Sequence, residues 1–465
     1  MAREKRTRRR FLRAAAGTAA LSVLGSRRDA AAAEQPNVLY VFSDQHRDCS
    51  MPGEPFSDIQ APNMMRLARE GVRFRNCISN YPVCSPYRAT LITGKWPYHS
   101  GVIDNRIRVE SDGNSVGDVF RKAGYRTGYV GKWHLQGQPG PYQEPGAARH
   151  GFDWWRVWYN TNRHWDKSYY YEDSADAKRT PKGYNATLMT EQALDFVRRN
   201  TGEQPWCLFV SLNPPHSNFL DAPDEQKQLY DAEARPWRPN VPEERRQNDR
   251  MRRVAQGYSG HISAVDRELG RLLDALDETG QARNTIVAYS SDHGEMLGSQ
   301  NRTGKRLPWE ESCRIPFVAR WPAGMPAGRE VQTLFGAIDT MPSLVGLAGL
   351  AVPGTCDGLD LSAAFRGEAA REPESQFIMH IDKHHASGGI KHPAPVFRGV
   401  RTDRYTYARW RDGPWLLYDN QEDPFQQSNL IDDPKRKKLA SELEGVVRDW
   451  LKAADDPGDL RLADA

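Results

Sequence analysis

Several short stretches of this 465-residue chain set reactive or charged side chains beside glycine, proline or the end of an apolar run. Cys84-Ser85-Pro86-Tyr87-Arg88, continued by Thr93-Gly94, places a thiol and a guanidinium around a proline that favours a helix start. Ala89-Thr90-Leu91-Ile92 can continue that helix. A helix N-terminus offers free amide donors and a positive dipole end to an anion. A buried cysteine beside an ordinary helix start would explain the motif alone, so its companions matter. Asp44-Gln45 and Asp292-His293 are acidic steps, each ending an apolar run. Lys132 and His134 stand in Gly131-Lys132-Trp133-His134, His216 in Asn213-Pro214-Pro215-His216, and Lys305 follows Gly304. Singly, each of these would be a surface group or a satisfied core histidine. As a set they suit a reaction that builds negative charge on a transferring group and its leaving oxygen.

The elements that must carry these residues are legible around them. Asn37 to Phe42 and Asn284 to Tyr289 are continuous apolar, β-rich runs of the kind found in central strands covered on both faces. Thr127 to Val130 and Trp206 to Leu212 read as further strands. Helical patterns span Pro62 to Gly71, Asn185 to Asn200 and Gln256 to Gly280. Strands alternating with helices predict an α/β fold with a mostly parallel central sheet flanked by helices. In such sheets ligands gather at the carboxyl ends of strands. From about residue 372 the pattern changes. Phe397 to Trp410 and Trp415 to Tyr418 predict a smaller C-terminal antiparallel sheet, and Pro434 to Ala454 a terminal helix.

The motifs in this order resemble those of the sulfatase family, the formylglycine-dependent type I sulfatases of the alkaline phosphatase-like superfamily. Cys84-x-Pro86-x-Arg88 with Thr93-Gly94 matches the family signature. Gly131-Lys132-x-His134, the Pro215-His216 segment and Gly304-Lys305 with Arg314-x-Pro316 look like its cationic elements, with Trp309 where tyrosine is usual. Leu417-Tyr418-Asp419, Asp423-Pro424 and Asn429-Leu430 resemble its ending. The resemblance runs from about residue 36 to 452.

It implies that Cys84 is oxidised to formylglycine by a maturation enzyme. The hydrated aldehyde then offers one hydroxyl to attack sulfur and a second to expel sulfate. It implies a cation site at Asp44, Gln45, Cys84, Asp292 and His293. Oxygen donors favour Ca²⁺ or Mg²⁺, and the histidine leaves Mn²⁺ open. Gln45 and His293 depart from the version with aspartate and asparagine there, which lowers the site's negative charge. Arg88 would hold the modified side chain, while Lys132 and Lys305 would stabilise developing charge. His216 or Lys305 is the candidate acid for the leaving alcohol, and His134 the candidate base. The implied activity is that of a sulfuric ester hydrolase, with a sulfated carbohydrate as substrate. Two alternatives remain: a phosphonate monoester or phosphodiester hydrolase of the same superfamily, and a non-catalytic glycan-binding relative.

The aromatic run Phe152 to Tyr171, interspersed with Arg156, Arg163, His164 and Lys167, suits either stacking on a sugar or a hydrophobic loop over the sheet. A second basic cluster, Lys383, His384, His385, Lys391 and His392, reads as a specificity region or a solvated loop.

Residues 1–33 have a different character. Arg8-Arg9-Arg10-Phe11-Leu12 precedes a mildly apolar, alanine-rich run and Ala30 to Ala33, the layout of a twin-arginine signal peptide. The expected organisation is therefore a signal at 1–33, a catalytic domain at 34–371 and a C-terminal subdomain at 372–465, in the periplasm or secreted. That signal holds nine Lys or Arg against two acids, net +7, so the overall +4 leaves about −3 for the remainder. Net charge thus gives no support for a nucleic-acid partner. No apolar stretch is long enough to span a membrane. Six cysteines without a Cys-x-x-Cys pair read mostly as small buried hydrophobes.

Overall fold

Alternation within one strand decides how the main layer is built. In Asn37–Ser43, Val38, Tyr40 and Phe42 face one apolar core while Leu39 and Val41 face another. A strand buried on both faces must lie inside a sheet covered on both sides. The computed structural model describes residues 35–458, apart from 138–141, 160–162, 167, 382–395 and 411. The proposed signal lies outside the described residues, as does the basic cluster from Lys383 to His392.

Asn37–Ser43 is central in a ten-stranded sheet. It pairs in parallel with Trp206–Leu212 on one side and Thr285–Ser291 on the other. Arg126–Lys132 and then Trp154–Trp158 continue the parallel set beyond Trp206–Leu212. Phe317–Arg320 runs antiparallel beside Thr285–Ser291, and Val72–Phe74 and Arg329–Val331 complete that edge. The opposite edge ends in the short antiparallel strands Tyr170–Tyr171 and Lys178–Arg179. The fold is therefore α/β with a mostly parallel central sheet.

Helices cover both faces. Cys84–Thr93, Val116–Lys122 and Ala337–Leu347 contribute Leu91, Phe120 and Leu344 to one core. The 30-residue helix Asp249–Glu278, with Pro62–Arg69 and Asn185–Arg199, fills the other with Leu269, Leu67 and Phe196. The long helix starts seven residues earlier than its apolar periodicity suggests, because Asn248 caps it by accepting from the Met251 amide at 2.9 Å.

A separate four-stranded antiparallel sheet follows: Ser375–His380, Phe397–Thr402, Tyr405–Trp410 and Gly413–Asp419. Helix Lys437–Ala453 packs Leu443 and Val447 against its Phe377, Tyr407 and Leu417. The first of these strands was not legible from composition, since Ser375–His380 carries no β-branched alternation beyond Ile378. The aromatic run is in part sheet and not only a covering loop. Trp154–Trp158 and Tyr170–Tyr171 are sheet strands, and Trp155 and Trp158 are buried in the cores. All six cysteines are unpaired, and only Cys356 is partly exposed. Among the described residues no helix is long and apolar enough to cross a membrane.

Asp266 ties two helices of the same layer together. From inside the long helix its carboxylate accepts from the Asn63 amide at 3.1 Å and the Met64 amide at 2.7 Å, at the start of Pro62–Arg69. Asp266→Ala leaves these buried donors unpaired, a cost of about 1–3 kcal/mol. Denaturant unfolding should show that loss without a change in slope. Wild-type stability in this variant would contradict the assigned role.

Candidate active site

Four parallel strands end at one level, and the catalytic candidates begin there. Ser43 is in register with both Ser291 and Leu212, and Gly131 with Ser211. Asp44, Asp292, Asn213 and Lys132 are therefore neighbours by strand register alone. Gly131 is required at its position. Its φ is +102°, and a Cβ there would sit 2.0 Å from the Ser211 carbonyl oxygen.

Helix Cys84–Thr93 is buried along its whole length and aims its first turn at these strand ends. Gly94 closes it with φ +66°, and a Cβ at Gly94 would lie 2.7 Å from Cys356 Sγ. The Thr-Gly step of the motif is thus a helix stop. At the other end Asn105 Oδ1 accepts from the Ser85 amide at 3.0 Å, and Ser85 Oγ donates to the His134 carbonyl at 2.5 Å.

Arg88, one turn into the helix, holds the site together. Its Nη2 is 3.1 Å from Asp44 Oδ2 and 2.9 Å from Asp292 Oδ2, and its Nε is 3.2 Å from the same Asp292 oxygen. Nη1 donates to Ser211 Oγ at 2.7 Å and the Lys132 carbonyl at 2.8 Å. Lys132 Nζ pairs with Asp44 Oδ2. Cys84 Sγ lies 3.2 Å from His293 Nε2, 3.8 Å from Lys132 Nζ and 3.9 Å from Asp44 Oδ1.

The electrostatics favour negative charge at Cys84. Burial by itself raises its thiol, but Lys132, Lys305 and His293 outweigh that and hold it well below its ordinary value. Burial likewise opposes ionisation of Asp44, and Lys132, His216 and Arg88 reverse this to keep it low. Asp292 is pushed up to about 6, by burial first and then by the charge of Asp44. Two carboxylates in such contact are relieved by a cation.

The donor set fits one. Asp44, Cys84, Asp292 and His293 bring ligand atoms within 4.8 Å of one another. His293 Nδ1 faces the Gly294 carbonyl at 3.0 Å and must carry the proton, which leaves the Nε2 lone pair turned into the cluster. Gln45 borders it, in a left-handed conformation with φ 79°. Its amide oxygen accepts from Lys305 Nζ at 2.5 Å, while its amide nitrogen donates to Glu295.

The other expected residues converge as well. His134 is neutral, lowered to about 4 by burial, with the Cys84 interaction raising it and Lys132 lowering it. Burial and then Lys305 also lower His216. Its Nδ1 faces the Ser217 carbonyl at 2.9 Å, so Nε2 is the nitrogen left for proton exchange. Three supporting residues were not foreseen. Glu295 orients Gln45 and also accepts from the Gly304 amide at 2.6 Å, placing Lys305; its position in Asp292-His293-Gly294-Glu295 was the available signal. Ser211 and Asn105 carried no sequence signal, since both act only through strand and loop placement.

Comparison with known proteins agrees with this geometry. The sulfatase family model matches residues 36–350, and the model described as N-sulphoglucosamine sulphohydrolase, C-terminal, matches 298–452. The chain belongs to the sulfatase family. It is an enzyme, a sulfuric ester hydrolase. The ulvan-active sulfatase of Formosa agariphila is 33% identical over 91% of this chain and 82% of that protein. An endo-4-O-sulfatase of Bacteroides thetaiotaomicron is 31% identical over 91% of this chain and 93% of its own length. A solved structure from work on multiple-glycosaminoglycan metabolism by Bacteroides thetaiotaomicron superposes with TM-score 0.81 at 29% identity, over 91% of this chain and 97% of that one.

A cation in this sulfatase site stabilises the folded state by mass action, about 2.7 kcal/mol at one hundred times its dissociation constant. Chelation should lower the melting temperature, and an added divalent cation should restore it. In Asp292→Asn the response should shrink or vanish. An identical response in that variant would place the ion elsewhere.

Proposed function

We propose that this sulfatase removes sulfate from a sulfated carbohydrate at Cys84, after its conversion to formylglycine, with a divalent cation, best Ca²⁺, beside it. The single observation that carries the reading is the placement of Cys84. It opens a buried helix whose first turn faces Asp44, Asp292, His293 and Lys132 together. An anionic sulfuryl group meets the positive end of the helix dipole, the Lys132 ammonium and a cation there. Carbohydrate is favoured because relatives matched over most of the chain are described as ulvan-active or as endo-4-O-sulfatase.

Asp44, Gln45, Asp292 and His293 would hold the cation, with the modified Cys84 side chain beside it. When bound, it supplies Lewis-acid stabilisation of a sulfuryl oxygen and favours ionisation of the nucleophilic hydroxyl. Formylglycine supplies a hydrated aldehyde, whose second hydroxyl lets sulfate leave without a separate ester hydrolysis. Arg88 fixes both carboxylates and the approach of the nucleophile. Lys132 and Lys305 stabilise charge on the sulfuryl group. His216, through Nε2, protonates the leaving alcohol. His134, partly buried and lowered to about 4, takes the proton that must leave the second hydroxyl.

The same reading assigns residues 1–33 to twin-arginine export. Because that route carries folded proteins, the maturation enzyme would act on Cys84 before export, and the protein would work in the periplasm or outside the cell.

Peptide mass spectrometry of the exported protein should find an aldehyde at position 84. Cys84→Ala should lower sulfate release by about 10⁴-fold or more. An unmodified thiol in fully active periplasmic protein refutes the maturation step. On matched aryl esters, sulfate should turn over faster than phosphodiester, and the reverse order would select the phosphonate or phosphodiester reading. Sulfate release should extend to a sulfated polysaccharide such as ulvan. Turnover of aryl sulfates with no release from any sulfated glycan would exclude the carbohydrate assignment.

A further inference from the structure

The loop after strand Trp206–Leu212 carries His216, and its anchoring comes from two histidines that the reaction itself does not use. His164 and His261 are both fully buried, with ring centroids 4.5 Å apart. His164 comes from the segment between the two aromatic strands, and His261 from the long helix Asp249–Glu278.

Their hydrogen bonds define both tautomers. His164 Nε2 lies 2.8 Å from the His216 carbonyl oxygen, an acceptor only, so Nε2 carries the proton. Its Nδ1 is then the acceptor, with the Asn185 side-chain amide at 3.4 Å and that of Asn213 at 3.5 Å. His261 Nε2 lies 3.1 Å from the Asn218 carbonyl, and so is also protonated. Its Nδ1 accepts from the Tyr184 hydroxyl at 2.7 Å. Burial, followed by the neighbouring His261, lowers His164 to about 3, which favours its neutral form.

The geometry is informative because of which carbonyls are held. His164 fixes the carbonyl of residue 216 and His261 that of residue 218. Between them stands Ser217, whose carbonyl accepts from His216 Nδ1 at 2.9 Å and so sets the imidazole plane. The loop is also gripped further on. The His164 amide donates to Asp221 Oδ2 at 3.4 Å, and Trp165 Nε1 to the Asp221 carbonyl at 2.6 Å.

We propose that His164 and His261 are positioning residues: as hydrogen-bond donors they clamp the carbonyls on either side of Ser217 and thereby aim His216 Nε2 at the leaving oxygen. This rests on the proposed role of His216 as the acid. His164, Asp221 and His261 also have the spacing of a metal site. The ring nitrogens that face carbonyls are protonated, however, and His261 Nδ1 already has the Tyr184 hydroxyl. A metal would have to displace these bonds.

The experiment uses the matured, cation-loaded enzyme with 4-nitrophenyl sulfate and phenyl sulfate. The more basic phenolate leaving group needs the acid more, so the ratio of the two kcat values reports on proton donation and not on folding. His216→Ala should widen that ratio by about 100-fold. His164→Ala should widen it by about 10-fold or more, the scale expected when a catalytic group is displaced. His164→Gln keeps a donor near the Nε2 position and should return the ratio to within about threefold of wild type. It also serves as the folded control if the alanine variant melts early. An unchanged ratio in His164→Ala, with a widened one in His216→Ala, overturns the clamp and leaves the proposed function standing. An unchanged ratio in His216→Ala removes His216 as the acid and this inference with it. One equivalent of zinc or nickel per chain, lost in His261→Ala, would show a metal site instead and also overturn the proposal.

Discussion

Arg88 is buried to 1% exposure between two carboxylates that are wholly buried, and the rest of the site follows from making that arrangement tolerable. Desolvating three charges is costly, and removing one partner from such a group typically costs about 3–5 kcal/mol. The cluster persists only if Asp44 and Asp292 are fixed at the right separation and the guanidinium has no idle donor. Register in a parallel sheet meets the first condition, because Ser43 and Ser291 are Cα partners. The second is met by Ser211 and the Lys132 carbonyl, both brought in by adjacent strands. One network therefore fixes the carboxylates, the first turn of helix Cys84–Thr93 and the end of strand Arg126–Lys132 together.

Chemistry and stability use the same charges. Lys132 pairs with Asp44 yet also lies near Cys84, so a single ammonium lowers both groups against the effect of burial. Gln45 and Glu295 extend the system to Lys305, and the smaller sheet supports the segment beyond it. Arg401 of that sheet donates to Glu310 at 2.8 Å, and Gln426 accepts from the Glu310 amide at 3.0 Å. Asn80, in the segment leading into helix Cys84–Thr93, donates to the Phe377 carbonyl of the smaller sheet at 2.8 Å. The C-terminal sheet is thus a buttress for the loop that carries Lys305.

The readings that succeeded from the residues did so where local physics is strong. The apolar runs ending at Ser43 and Ser291 could only be strands covered on both faces, and Asp44 and Asp292 had to stand at their carboxyl ends. Pro86 marked a helix start, within two residues of the observed one at Cys84. The strands inside the aromatic run were not legible, because tryptophan and tyrosine suit a sugar platform, a covering loop and an edge strand alike. Only neighbouring strands could choose, and Trp155 pairs with Tyr129 in the sheet. His164, inside that run, looked like part of a binding surface and instead holds the His216 carbonyl.

Sequence by itself determined the chemical identities: a cysteine at a helix start, acids at strand ends, and the lysines and histidines that accompany them. These are local choices, fixed by residue type and by neighbours a few positions away. Tertiary structure decided the pairings. Ser211 against Arg88, Glu295 against Gln45, and His261 against the Asn218 carbonyl join residues 43 to 250 positions apart. No local pattern encodes such contacts, because each exists only once strand register and helix packing have excluded water and left a buried donor one acceptor within reach.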